Sequence, residues 1–136
     1  MTGYLLDTNV VSEFRKARPH GGALAWLNAQ QSDQLLLSAL TIGDLQAGIE
    51  RVRHHDAAKA RELEDWLSEL PARYQCLPMD IDCFREWARL MDKKTDELSE
   101  DAMLAATARV HGLVVATRNE RDFAHFDVRI VNPFRS

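Results

Sequence analysis

Five short runs of strand character constrain this chain most. They are Gly3-Tyr4-Leu5-Leu6, Leu35-Leu36-Leu37, Gln75-Cys76-Leu77, Leu113-Val114-Val115-Ala116 and Val128 to Val131. Each is too short for a helix, and a run apolar at successive positions reads as a strand buried on both faces. Helical patterns separate them. This alternation predicts an α/β fold with a mostly parallel central sheet.

The first strand is followed by a short helix at Val10 to Phe14, a basic knot of Arg15, Lys16 and Arg18, and a loop at Pro19-His20-Gly21-Gly22. A helix from Ala23 to Gln30 buries Leu24, Trp26 and Leu27. Ile42, Leu45, Ile49 and Val52 recur at helical spacing and place a helix from about Thr41 to Arg53. After His54-His55-Asp56 a further helix buries Leu63, Trp66, Leu67 and Leu70 and is expected to stop at Pro71. Asp80 caps a helix in which Ile81, Phe84, Ala88 and Met91 share a face. Lys93 to Leu98 reads as polar loop. Ser99 is expected to cap an alanine-rich helix that approaches the sheet closely and ends at His111-Gly112. Trp26, Trp66 and Trp87 fall on apolar helix faces and read as core.

At 136 residues with 46% hydrophobic and 28% charged residues, the chain reads as one ordinary globular domain over 1–136. A net charge of -4 gives no bulk attraction for nucleic acid, so such contact must be local or metal-assisted. Cys76 and Cys83 lack paired metal-knuckle spacing and read as buried free thiols, in keeping with a reducing cytoplasm. No signal peptide is expected, since an acid appears by Asp7. No stretch approaches the roughly 20 apolar residues of a membrane helix.

The chemistry lies in acids placed around strand ends. Asp7 follows the first strand, Asp44 is read into the first turn of the helix after the second, Asp101 opens the helix before the fourth, and Asp122 follows the fourth. In an open parallel sheet, ligands bind beyond the carboxyl ends of the strands. Two carboxylates about 4 Å apart repel by about 4 kcal/mol at an effective dielectric of 20, whereas a helix N-terminus returns only about 0.3–1 kcal/mol to each. Gathered acids therefore need protonation or a cation, and oxygen-only donors select hard ions such as Mg²⁺ or Mn²⁺. Such an ion suits phosphodiester hydrolysis. Each acid also has a structural reading. Asp7 could cap a turn, Asp44 could form a near capping box with Thr41, Asp101 could compensate a helix dipole, and Asp122 could be a solvated turn acid.

At these residues the chain resembles the PIN-domain ribonucleases, specifically the VapC/FitB-type toxins of type II toxin–antitoxin pairs. The matching stretches are Leu5-Leu6-Asp7-Thr8-Asn9, Ser38 to Leu45 with Gly48-Ile49-Glu50, Glu100 to Ala108 with His111-Gly112-Leu113, and Ala116-Thr117-Arg118-Asn119 with Arg121-Asp122-Phe123. They occur in the family's order across nearly the whole chain. The resemblance implies a PIN-like three-layer sandwich, Mg²⁺- or Mn²⁺-dependent cleavage of RNA, a homodimer, and inhibition by a small VapB-like antitoxin whose tail covers the site. By motif, Asp7 and Asp101 match the main metal ligands and Asp44 a position that is usually Glu. Thr117, Asn119 and Asp122 fall in the segment carrying the fourth polar or acidic group; Asp122 is favoured, with Asn119 in support. Thr8 and Asn9 flank Asp7 as supporting residues.

Two departures stand out. Asp44 is shorter than Glu by one carbon–carbon bond, about 1.5 Å, which would reduce its reach to the ion. Asn119 stands where some relatives carry Asp. Arg15, Lys16 and Arg18 either contact RNA phosphates or form plain solvated surface. No His lies in the four acid-bearing segments, so a His general base or a zinc site is not expected there, and His54-His55 reads as a solvated helix end. A haloacid-dehalogenase-like phosphatase also begins with a strand ending in Asp, but it needs a second Asp where Asn9 stands. The remaining alternative is a catalytically weak PIN-like module that binds RNA or a protein.

Overall fold

In the computed structural model, which describes residues 1–135, five strands form a single all-parallel sheet in the order β3-β2-β1-β4-β5. They are β1 (Tyr4–Leu6), β2 (Leu35–Ser38), β3 (Gln75–Leu77), β4 (Val114–Ala116) and β5 (Ile130–Val131). The helices are α1 (Thr8–Val11, continued by a 3₁₀ turn to Arg15), α2 (Gly21–Ala29), α3 (Ala39–Arg53), α4 (Ala57–Arg73), α5 (Ile81–Met91), α6 (Ser99–His111) and α7 (Glu120–Phe123).

The two-residue period of a strand sorts neighbouring side chains into two separate cores. Leu6, Leu35, Leu37 and Ala116 join the core of α1 to α4 through Val10, Leu27, Leu45, Ile49, Leu63 and Leu67. Leu5, Leu77 and Val115 join the core of α5 to α7 through Trp87, Leu90, Leu104, Ala105 and Phe123. The sheet is thus covered on both faces, as three layers require. Ala102, Ala105, Ala106 and Ala108 of α6 are fully buried. Their small side chains let that helix lie close against β1 and β4, as the alanine run predicts.

Several boundaries differ from the sequence reading. α2 begins at Gly21 instead of lying behind a loop, because the imidazole Nδ1 of His20 accepts the Ala23 N–H at 3.1 Å and caps the helix despite its glycines. α4 runs through Pro71 to Arg73; in the last turn the proline forfeits only its own bond to the Leu67 carbonyl, and Tyr74 N–H still reaches Leu70 O at 2.9 Å. Ser99 is the first residue of α6, not its cap, since a 3₁₀ turn at Asp96–Leu98 feeds directly into it. β5 is confined to Ile130–Val131, its register to β4 starting only at Val115↔Ile130. In α5 the buried face carries Cys83, Trp87, Leu90 and Met91, while Ile81 and Phe84 are exposed. The Asp80 cap is as expected, its Oδ1 accepting the Cys83 N–H at 3.0 Å. So is the Gly112 cap, at φ 66°.

Candidate active site

β1 and β4 are hydrogen-bonded neighbours, yet β1 continues towards β2 and β4 towards β5, on opposite sides. The loops leaving their carboxyl ends therefore part, and a crevice opens between them. Asp7 stands at its centre. The Asp7 N–H bonds the Ala116 carbonyl at 2.9 Å, which ties the exit of β1 to the end of β4. Extended backbone at Asp7 then lets its side chain cap α1, with Oδ1 accepting the Thr8 N–H at 2.7 Å. Oδ2 accepts the Thr117 hydroxyl at 2.8 Å and the Asn9 amide at 3.3 Å. Capping is thus part of Asp7's role, but three donors from two strand ends exceed what a cap needs.

The supporting residues form one scaffold. Thr117 is fully buried, and its Oγ1 also accepts the Asn119 N–H at 2.9 Å. Asn9 Oδ1 accepts the Arg118 N–H at 3.2 Å, bridging the two exits a second time. Asn119 contributes through its backbone, with its side chain exposed.

Asp44 sits differently from expectation. α3 begins at Ala39, so Asp44 lies in the second helical turn, beyond the first-turn position predicted for it. The cap is Ser38, whose Oγ accepts the Leu40 N–H at 3.1 Å, while Thr41 is buried. No capping box involves Asp44. Its Oδ2 instead accepts the Thr8 hydroxyl at 3.3 Å, which brings it to Asp7's side of the crevice. Asp101 arrives in the first turn of α6, from the opposite face of the sheet, and Asp122 from α7.

The electrostatics show that these acids share one space. Burial, then the negative charges of Asp7, Asp122, Glu100 and Asp44, push the Asp101 carboxyl up to about 6. None of these dominant influences is a cation. Burial also raises Asp7 above the ordinary carboxylate range, with Asp44 adding to it, although the bonds from Thr117, Thr8 and Asn9 pull the other way. Glu100 is raised too, first by repulsion from Asp44, then by burial and by a carboxyl–carboxylate contact with Asp44. Sequence reading missed Glu100 as a member. Its neighbour Asp101 carries the motif, and only the way α6 meets α3 turns Glu100 towards Asp44.

The donor set fits a hard divalent ion: all oxygen, more negative than its surroundings offset, and open to water at the Glu100 and Asn119 rim. Among the described residues no three of these carboxylates bring oxygens within 4.8 Å of one another. An ion here would accordingly be held directly by a pair and reached by the others through water.

The basic knot divides. Arg15 lines a groove of about 210 Å³ with Thr8, Asp44, Arg51 and Trp66, running between α1, α3 and α4 into the crevice. Lys16 instead pairs with the buried Glu13. Burial would raise that acid, but bonds from Lys16 and the His20 N–H hold it below its usual value. Arg18 is exposed. The guanidinium of Arg118, not foreseen from sequence, stacks on Phe134 at 3.8 Å. Cys76 and Cys83 are free. Among the described residues no helix is long and apolar enough to cross a membrane.

Comparison with known proteins points the same way. The profile of the PIN domain matches residues 4–129. The VapC ribonuclease Y4jK of Sinorhizobium fredii is 39% identical, covering 96% of each chain. Toxin FitB of Neisseria gonorrhoeae is 32% identical over 96% of this chain and 97% of its own. The crystal structure of FitAcB from Neisseria gonorrhoeae superposes with a TM-score of 0.83 at 28% identity, over 98% of this chain and 99% of that one.

Proposed function

The chain belongs to the PIN-domain family, and from that premise we propose that it is the toxin of a type II toxin–antitoxin pair, a divalent-metal-dependent endoribonuclease acting in the cytoplasm. One observation carries the reading. Acids from four distant segments, Asp7, Asp44, Asp101 and Asp122, converge with Glu100 at the switch point of the sheet, where burial and then mutual repulsion lift Asp101 to about 6.

Asp7 and Asp101 are the residues proposed to hold Mg²⁺ or Mn²⁺, since they approach from opposite faces and burial raises both carboxyls. The ion when bound supplies a Lewis acid for a phosphoryl oxygen and a more acidic water for attack on phosphorus. The Thr117 hydroxyl, the Thr8 N–H and the Asn9 amide fix the orientation of the Asp7 carboxylate. Asp44 and Glu100 share charge across the rim and take up the proton released as water attacks; Asp122, beside Asp101, orients that water. Arg15 and Arg51 line the groove leading in and suit RNA phosphates. The same groove, apolar along Leu45, Ile49 and Trp66, suits the tail of a VapB-like antitoxin, and a homodimer fits the family.

The test is cleavage of RNA with Mg²⁺ or Mn²⁺ by the wild-type chain, Asp7→Ala and Asp101→Ala. Cleavage by the wild type alone is expected; equal cleavage by all three rules the mechanism out. The short reach of Asp44 favours one other reading, a weak module that binds RNA or protein. Calorimetry finding RNA bound without any divalent-ion affinity would select it.

A further inference from the structure

We propose that Asp80, Cys83 and His111 form a second metal site, selective for a borderline ion such as Zn²⁺, that clasps the start of α5 to the end of α6. The ligand atoms of these three side chains lie within 4.8 Å of one another, and no other such group occurs among the described residues. They come from two helices. Asp80 and Cys83 are three apart across the first turn of α5 and so share one side of it. His111 is the last residue of α6, where Gly112 turns the chain away in the left-handed conformation.

The donors are held before any ion arrives. The Cys83 N–H donates to Asp80 Oδ1 at 3.0 Å, and the Cys83 thiol also bonds the Asp80 carboxylate. Cys83 is fully buried, and its sulfur contacts the Asp80 carboxylate and the Thr107 hydroxyl, with the His111 imidazole within ligand distance. His111 and Asp80 are exposed, so an ion has a path in. Thiolate, imidazole and carboxylate are the ligands of zinc sites and a poor set for Mg²⁺. One thiolate and one carboxylate also cancel the charge of the ion, so little uncompensated charge is buried. Three protein donors leave a fourth position for water or an incoming group. Asp101 lies ten residues earlier on α6, about 15 Å away along the axis. The site is therefore separate from the acidic crevice and has the opposite metal preference.

The test uses Co²⁺ as a spectroscopic probe on the full-length chain, because only a sulfur ligand gives thiolate-to-cobalt charge-transfer absorption. The band is expected in the wild type, in Cys76→Ser and in Asp7→Ala. It should vanish in Cys83→Ser, and Co²⁺ affinity should fall at least tenfold in His111→Ala, whose exposed site leaves the fold intact by circular dichroism. Zn²⁺ should bleach the band and Mg²⁺ should not. Absence of the band in the wild type, its survival in Cys83→Ser, its loss in Cys76→Ser or full affinity in His111→Ala overturns the proposal.

Discussion

Replacing Asp101 by Asn should make the chain more stable while destroying its proposed activity. Raising a carboxyl from 3.8 to about 6 means that its charged form costs about 3 kcal/mol in the folded state. Water reaches the rim of the crevice, so screening leaves about half of that, ~1.5 kcal/mol. Asn also gives up the favourable interaction of a charge with the start of α6, about 0.3–1 kcal/mol, for a net gain of about 1 kcal/mol. For a chain of this size that is roughly 3–5 °C in melting temperature. The pH dependence fixes the cause. Above pH 6 the folded wild type carries the charge and its cost. Between 6 and 3.8 the folded state takes up the proton before the unfolded state does, so wild-type stability rises as pH falls through that window. Below 3.8 both states are protonated and the penalty is gone. Thermal unfolding in chelator should therefore show Asp101→Asn melting higher at pH 7.5, with the gap closing by pH 4. Millimolar Mg²⁺ or Mn²⁺ should raise the wild type and leave the variant unmoved. A variant that melts at or below the wild type at pH 7.5 in chelator would refute the view that burial and neighbouring acids penalise the Asp101 charge.

Thr117→Val removes the 2.8 Å bond to Asp7 with little change of shape; it should cost about 1.5–3 kcal/mol and move the acidic limb of the RNA-cleavage profile upward, read from a pH–rate series. Arg15→Ala and Lys16→Ala should separate function from fold. The first is expected to weaken RNA binding and reduce its salt slope by about 1, whereas the second should lower the melting temperature by stranding the buried Glu13 without changing that slope. Gly112→Ala forces a Cβ into φ 66° and should cost about 1–2 kcal/mol in denaturant unfolding, with no effect on metal affinity at the crevice.

What could be read from the chain alone was whatever local pattern decides. Leu35-Leu36-Leu37 alternates between the two cores exactly as a doubly covered strand must, and the alanines of α6 mark its approach to the sheet. The placements of Asp7 and Asp101 were legible because each sits where backbone geometry changes, at a strand end and a helix start. Helix beginnings that depend on an unusual donor or acceptor were not. Nothing in the preference of His marks His20 as a cap, and two glycines after it argue for a loop. The position of Asp44 failed for a related reason. Thr41 looks like a cap in sequence, but Ser38 at the end of β2 reaches the free N–H groups first and moves the helix start back to Ala39.

That shift changes how the acidic crevice is held together. A carboxylate in the first turn of a helix recovers about 0.3–1 kcal/mol from the dipole, and the benefit fades within that turn. Asp44 in the second turn recovers little, and it stands opposite Glu100, whose carboxyl it pushes up. The stabilising contacts are instead the hydroxyls of Thr8 and Thr117 and the amide of Asn9, all from the two strand exits that flank the crevice. Those donors orient Asp7 and Asp44 but bring no positive charge, so the excess of negative charge remains available to an ion. A salt bridge at any of these positions would relieve the repulsion and, by the same measure, weaken the attraction for a divalent cation. Arg15 and Arg51 line the adjoining groove without an ion pair to these acids, and other cations pair elsewhere: Lys16 with Glu13, Arg53 with Glu50 and Glu64, Arg109 with Glu86. The raised Asp101 carboxyl is thus what burial and unpaired neighbouring acids produce together, a cost that a proton or a bound cation would relieve.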